Sequence, residues 1–319
     1  MTTLKRNRWT LLAAAMLSSG IVAAQAFPSR TIHLVSGVTQ GSASDTTARI
    51  IAEKLRVSLG QPVIVENKVG AGGLIGAAYV AHAEPDGHLI SIYTSAFTVA
   101  PLLSPGPLDP KDLAPVATIG TVPTVLVVST TKNYKSVADL VAAAKARPGM
   151  IVGATAGIGS STHMNLERFR ISAGIDVLQL PMKGAPDALT EVLTGRADFY
   201  FALPVQVEGQ AGKLRALAVG SLKRSALFPD VPTTVEAGYP NSDYNFWIGA
   251  LVSSRTPRDI QQRLNREFNA AVGSADVRER FLKLGVDPLS MSLPDFEAMI
   301  ANEFDSNAKL IKAAGITNQ

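Results

Sequence analysis

The chain has no cysteine. That absence excludes disulfides, thiolate metal ligands and a thiol nucleophile together, and leaves apolar burial as the source of stability. Histidine is scarce too. The chain has His33, His82, His88 and His163, and none falls into an HExxH or similar ligand spacing, so the expectation is a protein with no metal and no cofactor. Beyond the first few residues there is no dense Lys/Arg cluster; a nucleic-acid partner, which needs a basic patch to neutralise phosphates, is excluded on that ground. Long apolar runs are also missing. The longest, Leu11 to Ala24, is interrupted by Ser18, Ser19 and Gly20 and falls short of the roughly 20 residues a membrane span requires.

That run has another reading. Lys5, Arg6 and Arg8 precede it and Ala24-Gln25-Ala26 ends it, the pattern of a secretory signal with an AxA cleavage site. Residues 1–26 are therefore expected to be a signal peptide, with the mature chain starting at Phe27. Losing three bases and no acid takes the formal charge from +4 to +1. What remains is long enough for two domains.

From Phe27 onward short apolar runs alternate with amphipathic segments, which points to an α/β fold with largely parallel strands. Strands are expected at 32–35, 63–65, 89–93, 125–128, 151–154, 177–180, 199–202, 216–219 and 246–252. The first helix is expected over 45–59, with Ala48, Ile51, Ala52, Leu55 and Leu59 on one stripe, Ser44 or Asp45 as cap and Gly60 as stop. Others are expected over 137–147 behind Ser136, after Ser160, over 186–194, and over 257–272, 277–284 and 294–314. The block 122–245 has its own strand and helix alternation, whereas the terminal helices have no strands of their own and should pack back on the first sheet. We expect domain 1 to comprise 27–121 and 246–319, and domain 2 to comprise 122–245. Two crossings make a hinge, and a hinged cleft suits a small ligand.

Two stretches carry the candidate chemistry. "VTQGSASDTTARI" from Val38 follows the first strand, and "TAGIGSSTHMNLERF" from Thr155 follows a strand of the middle block. Each presents glycines and hydroxyls and then leads into a helix, placing unpaired N–H groups at the carboxyl end of a strand, where open α/β sheets bind ligands. Helix N-termini accept anions without a Lys or Arg. The candidate ligand residues are Thr39, Gln40, Gly41, Ser42, Ser44 and Asp45 in the first, and Ala156, Gly157, Gly159, Ser160, Ser161 and Thr162 in the second. Ser95, in a hydroxyl-rich turn after another strand, joins them more weakly. Lys183, in "LPMKGAPDAL", is a charged loop residue that could reach a ligand, and Asp198 is either a loop-fixing residue or a ligand contact.

Other motifs read more plainly. "VGAGGLIG", Val69 to Gly76, has displaced glycines and no acidic partner on a following strand, so it is a tight turn into a packed helix rather than a dinucleotide loop. Trp247 fits burial at a domain crossing better than stacking on a ligand. The alternative of a secreted serine hydrolase would use Ser42, Ser44, Ser160 or Ser161, but none sits in a GxSxG elbow, and His163 lies on the wrong side of a helix turn to serve Ser161.

Taken in order, "FPSRTIHLV", "GSASDTTARIIAEKL", "LGQPVIVENKVGAGGLIGA", "AEPDGHLI", "LPMKGAPDALTEVLTGRADFYF", "AGKLRALAVGSLKRSALFPDVPTTVEAGYP", "FWIGALVSSRTP" and "LNREFNAAV" resemble the tripartite tricarboxylate transporter receptors, or Bug proteins, of bacteria. The resemblance covers essentially the whole mature chain. It implies a two-lobed type II periplasmic binding protein fold, each lobe a mainly parallel sheet flanked by helices, and a non-enzymatic monomer of the periplasm. The implied ligand is a small carboxylate, a di- or tricarboxylate or an aromatic acid, passed to membrane transporter subunits or to a sensor protein. In the family the acid is held by backbone groups, hydroxyls and water near the loop after the first strand. Carried over, that loop is Thr39 to Asp45, its counterpart is Thr155 to Thr162, and Lys183, Gly184, Ala185 and Asp198 to Leu203 border the cleft. The family usually shows a PFPPGG-like run where this chain has Gly37-Val38-Thr39-Gln40-Gly41-Ser42, and a Tyr where it has Met182.

Overall fold

The computed structural model describes residues 27–104, 106–244 and 246–317; the expected signal peptide lies outside them. Two sheets organise the chain. In order along the sequence, β1 (Ile32–Ser36), α1 (Ala43–Leu59), β2 (Val63–Asn67), α2 (Leu74–Ala81), β3 (Leu89–Thr94), α3 (Ala100–Leu103) and β4 (Leu113–Val122) build the first. The chain then enters the second with β5 (Val125–Ser129), α4 (Val137–Ala146), β6 (Val152–Thr155), α5 (Ser161–Ala173), β7 (Leu178–Pro181), α6 (Ala185–Leu193), β8 (Phe199–Ala202), α7 (Pro204–Glu208) and β9 (Leu214–Val219). It returns to the first with β10 (Phe246–Ser253), α8 (Arg258–Gly273), α9 (Ala275–Leu282), β11 (Asp287–Pro288) and α10 (Leu293–Ala314).

The strand orders are β11-β4-β10-β3-β1-β2 and β7-β6-β8-β5-β9. Each sheet is parallel across three strands only, β2-β1-β3 in one and β7-β6-β8 in the other. The rest run antiparallel. The sheets are therefore mixed, because the first strand after each crossing, β5 in the second sheet and β10 in the first, runs against both of its neighbours.

Both sheets are covered on both faces, which is why β5 reads as a continuous apolar run from Val125 to Val128. Along β1, Leu34 faces the core shared with Ile51, Leu55, Leu264 and Phe268, while Val35 faces the core of Leu74, Ala77, Trp247 and Phe296. In the second sheet Leu126 packs with Leu140, Leu166 and Phe169, and Val127 with Ala188 and Val192. A smaller cluster of Val99, Met164, Tyr244 and Leu310 joins the two halves.

Two strands were not expected. β4 carries Pro115 and Gly120, residues that ordinarily argue against a strand, but its pairing with β10 shifts register at Thr118–Gly120 and again at Pro115–Ala117, so both lie beside bulges. Gly120 is needed there: a Cβ would lie 2.5 Å from Val286 Cγ1, against the short β11. The cap of α1 also differs from expectation. Ser42, not Ser44 or Asp45, is the N-cap, its hydroxyl accepting from Asp45 N–H at 3.3 Å.

Candidate functional site

The two glycine-serine bends leave the carboxyl ends of β1 and β6, and each ends in a serine N-cap of nearly the same geometry. Ser42 has φ −67° and ψ 162°, Ser160 φ −67° and ψ 160°. Each hydroxyl accepts from the third helical residue, His163 N–H in the second case at 3.2 Å. This satisfies one of the amides a helix start leaves open. Among the described residues the N–H groups of Ala43 and Ser44, and of Ser161 and Thr162, have no protein acceptor. Each bend thus offers a pair of main-chain donors backed by the positive end of a helix.

The side chains of the bends do different work from that expected. Asp45 is 1% exposed and does not present itself to a ligand. Its carboxylate accepts from Gly41 N–H at 2.9 Å, from Arg49 Nε at 3.0 Å and from Asn67 Nδ2 at 2.8 Å. Burial alone would raise this carboxyl, but the bonds from Arg49, Gly41 and Asn67 outweigh it and hold the group below the ordinary range. Asn67 also donates to Val38 O at 3.0 Å, so one carboxylate and one amide clasp the first bend. In the second, Ser160 Oγ donates to Gly157 O at 2.7 Å and Thr162 Oγ1 accepts from Ala156 N–H at 2.8 Å. These hydroxyls shape the bend from inside.

His163 supplies the second clasp. It is 3% exposed; its Nδ1 accepts from Gly159 N–H at 3.0 Å, and its Nε2–H donates to Gln179 Oε1 at 2.9 Å. Gln179 donates in turn to Glu167, which is fully buried and paired with Arg170 at 2.7 Å. Burial pushes the His163 ring below its usual pKa, and the neutral Nε2–H tautomer is the one both neighbours require. With both ring nitrogens occupied, His163 is no base for a serine. Ser42 and Ser160 are caps, and the hydrolase reading loses its machinery.

Asp198 takes the loop-fixing alternative, whereas Ser95 is buried rather than open to the cleft. Asp198 lies at the start of β8, the end of the sheet away from the bend. There it accepts from Lys132 Nζ at 3.0 Å, Tyr134 Oη at 3.2 Å and Val152 N–H at 2.9 Å, so it fixes a loop. Ser95 is 1% exposed and its hydroxyl lies by the Tyr244 phenol. Its neighbour Ala96 borders the cleft instead. Lys183 is exposed, and the loop it shares with Gly184 and Ala185 runs beside the second bend, where Met182 N–H donates to Thr155 O at 2.9 Å.

A cavity of about 540 Å³ lies between the halves, walled by Gly72, Leu74, Ala96, Ala100 and Leu103 on one side and by Ile158, Gly159 and Ser160 on the other. The glycine-rich turn after β2 is indeed a turn into α2, and it also forms this wall. Gly37 makes that possible: a Cβ there would lie 2.7 Å from Gly73 Cα, so only glycine lets the first bend and the turn touch. Gly73 has φ +97° and sits under Tyr93, whose hydroxyl donates to Gly72 O at 3.1 Å. Sequence periodicity signalled the turn but not its place in the cleft.

The lobes also meet through α5 and α10. Arg168 on α5 donates to Ser306 Oγ and Asn307 Oδ1 on α10 at 2.9 and 3.1 Å, and its guanidinium lies 5.5 Å from the Tyr244 ring centroid. Trp247 is buried at the second crossing as expected, and its Nε1–H donates to Glu303 at 2.6 Å.

Two α/β lobes, two crossings and a cavity between the lobes define a type II periplasmic binding protein fold. Among the described residues no His, Asp or Glu group is arranged to hold a metal. Residues 47–316 match the model of the tripartite tricarboxylate transporter family receptor, and the chain belongs to that family. It is 35% identical over 300 residues to protein BugT of Bordetella pertussis, covering 92% of each chain. Among solved structures it is similar to the periplasmic binding protein BugD, with 30% identity, a TM-score of 0.74, and coverage of 92% of this chain and 100% of that one. It is also similar to an R. palustris protein solved with adipate, with 31% identity, a TM-score of 0.77, and coverage of 91% and 99%. A third neighbour, MatC from Rhodopseudomonas palustris with bound malate, shares 28% identity with a TM-score of 0.73, covering 89% and 100%. These matches are receptors, not hydrolases.

Proposed function

We propose that this receptor works in the periplasm after loss of residues 1–26, and that it closes 122–245 against 27–121 and 246–319 around a small carboxylate. The captured acid then passes to a membrane transporter or to a sensor. The observation that carries this reading is the pair of open amides at each helix start, those of Ala43 and Ser44 in one lobe and of Ser161 and Thr162 in the other; on this reading both pairs meet the acid when the lobes close. Thr39, Gln40 and Gly41 in the first bend and Gly157 and Gly159 in the second complete the proposed site. Closing the cleft expels water, and N–H to carboxylate bonds strengthen in the drier space. Adipate and malate in two relatives are acids of this kind.

A ligand that binds only the folded protein raises its melting temperature by mass action. A thermal-shift panel of mono-, di- and tricarboxylates should therefore give an upshift with at least one acid. No shift with any of them at millimolar concentration would overturn the carboxylate reading.

A further inference from the structure

The cleft wall carries information about the body of the ligand, beyond its acid group. Leu74, Ala100, Leu103 and Pro107 form one side of the cavity and Ile158 projects from the other. Among the described residues no ionisable side chain lines it, and its side-chain hydroxyls are those of Ser104 and Ser160. Ser160 is already engaged with Gly157 O and the His163 N–H. Ile158 is the unexpected member. It stands at the tip of a bend otherwise made of glycines and hydroxyl residues, is 38% exposed, and belongs to neither lobe's core. An isoleucine there gains by covering apolar surface on a bound molecule. Opposite it, Leu103 lies so close to Gly159 that a Cβ would come within 2.6 Å of Leu103 Cδ1.

Building on the carboxylate reading, we propose that the ligand is an acid with a hydrocarbon body, a straight chain or an unsubstituted ring, and that hydroxylated acids are rejected. The acid group sits on the main-chain donors and the body lies between Ile158 and the Leu74–Leu103 wall. A hydroxyl on that body loses water and, unless it reaches Ser104, meets apolar side chains, which costs about tenfold in affinity for each one buried without a partner.

Calorimetric titration of the full mature chain with matched pairs tests this: succinate against tartrate, and hexanoate against gluconate. The expected result is that at least one unhydroxylated partner binds, at least tenfold more tightly than its hydroxylated counterpart. Equal or tighter binding of tartrate or gluconate overturns the hydrocarbon-body inference while leaving the carboxylate reading intact. Binding of none of the four, together with no shift across the wider acid panel, overturns both. Ile158→Asn, checked for an unchanged melting temperature, should narrow the ratio within a pair; so should Leu103→Asn, as an independent probe from the other lobe. A ratio unmoved in both folded variants also counts against the proposal.

Discussion

The two bends share a cap and an outline but are held by opposite chemistries. The first is clasped by an ionised carboxylate, Asp45, with Arg49 and Asn67 around it; the second by a neutral imidazole, His163, through Gln179 to Glu167. Asp45 gains its bonds by being charged, whereas His163 keeps its bonds only while uncharged, because a protonated Nδ1 cannot accept the Gly159 N–H. The same main-chain geometry can thus be stabilised at neutral pH by either route, with different failure points. One lobe keeps its bend in acid that disrupts the other.

Removing the first clasp has the largest expected effect. Asp45→Ala leaves Gly41 N–H and Asn67 without their acceptor and should lower stability by about 1.5–3 kcal/mol, the range for hydrogen bonds to a charged group, towards its lower end because the Arg49 side chain is partly exposed. Urea unfolding measures it, and a loss below about 0.5 kcal/mol would show that the clasp does not hold the bend.

A second pair of variants separates shape from contact. Gly41 and Gly159 both have positive φ, +80° and +75°, yet a Cβ at Gly41 meets no atom within 4 Å while one at Gly159 meets Leu103. Gly41→Ala should cost about 1–2 kcal/mol of stability from backbone strain. Gly159→Ala adds interference with lobe closure, and ligand affinity should fall about tenfold. Leu103→Ala added to Gly159→Ala should restore part of that affinity.

The pH response tests the comparison directly. The His163 pKa is depressed from 6.5, so its contribution to stability is complete above that value and is lost as pH falls through the lower folded-state pKa. The Asp45 pKa is depressed from 3.8, so its contribution persists until well below that. As pH falls below 6.5, ligand affinity should therefore decline through the second bend before the first is affected. His163→Asn, which retains an acceptor for Gly159 but does not titrate there, should flatten the profile; an unchanged decline would place the titrating group elsewhere.

The smallest effect has the opposite sign. Burial pushes Glu303 up to about 7, against the lowering influence of Trp247, Thr98 and Arg168. A raised carboxyl pKa contributes stability that is full below 4.5 and is lost as pH rises through 7. Glu303→Gln should melt about 2–4 °C above the parent at pH 8 and close to it at pH 5. Identical melting curves at pH 8 would show that Glu303 is hydrated.

Much of this was readable in advance because it is local. The helix after Ser160, the Gly60 helix stop and the strand at 199–202 depend on residues within one turn of each other. Sequence left the role of Asp198 open and placed Ser95 at the cleft, because a polar residue next to a strand end looks the same whether it faces a cleft or, like Asp198, a lysine 66 positions away. β4 was missed because its proline and glycine are tolerated only through bulges set by β10, some 130 residues later in the chain.

The order of amino acids alone determined the alternation of strands and helices, the two glycine-serine bends and the family to which they belong, since propensity, capping and apolar period act over a few residues. Only the tertiary structure decided which donors remain open, which acids and imidazoles are consumed in holding them, and that an apolar wall from the turn after β2 closes the cleft. Those outcomes depend on which groups segments distant in sequence bring within hydrogen-bonding reach, and on how much water their packing removes.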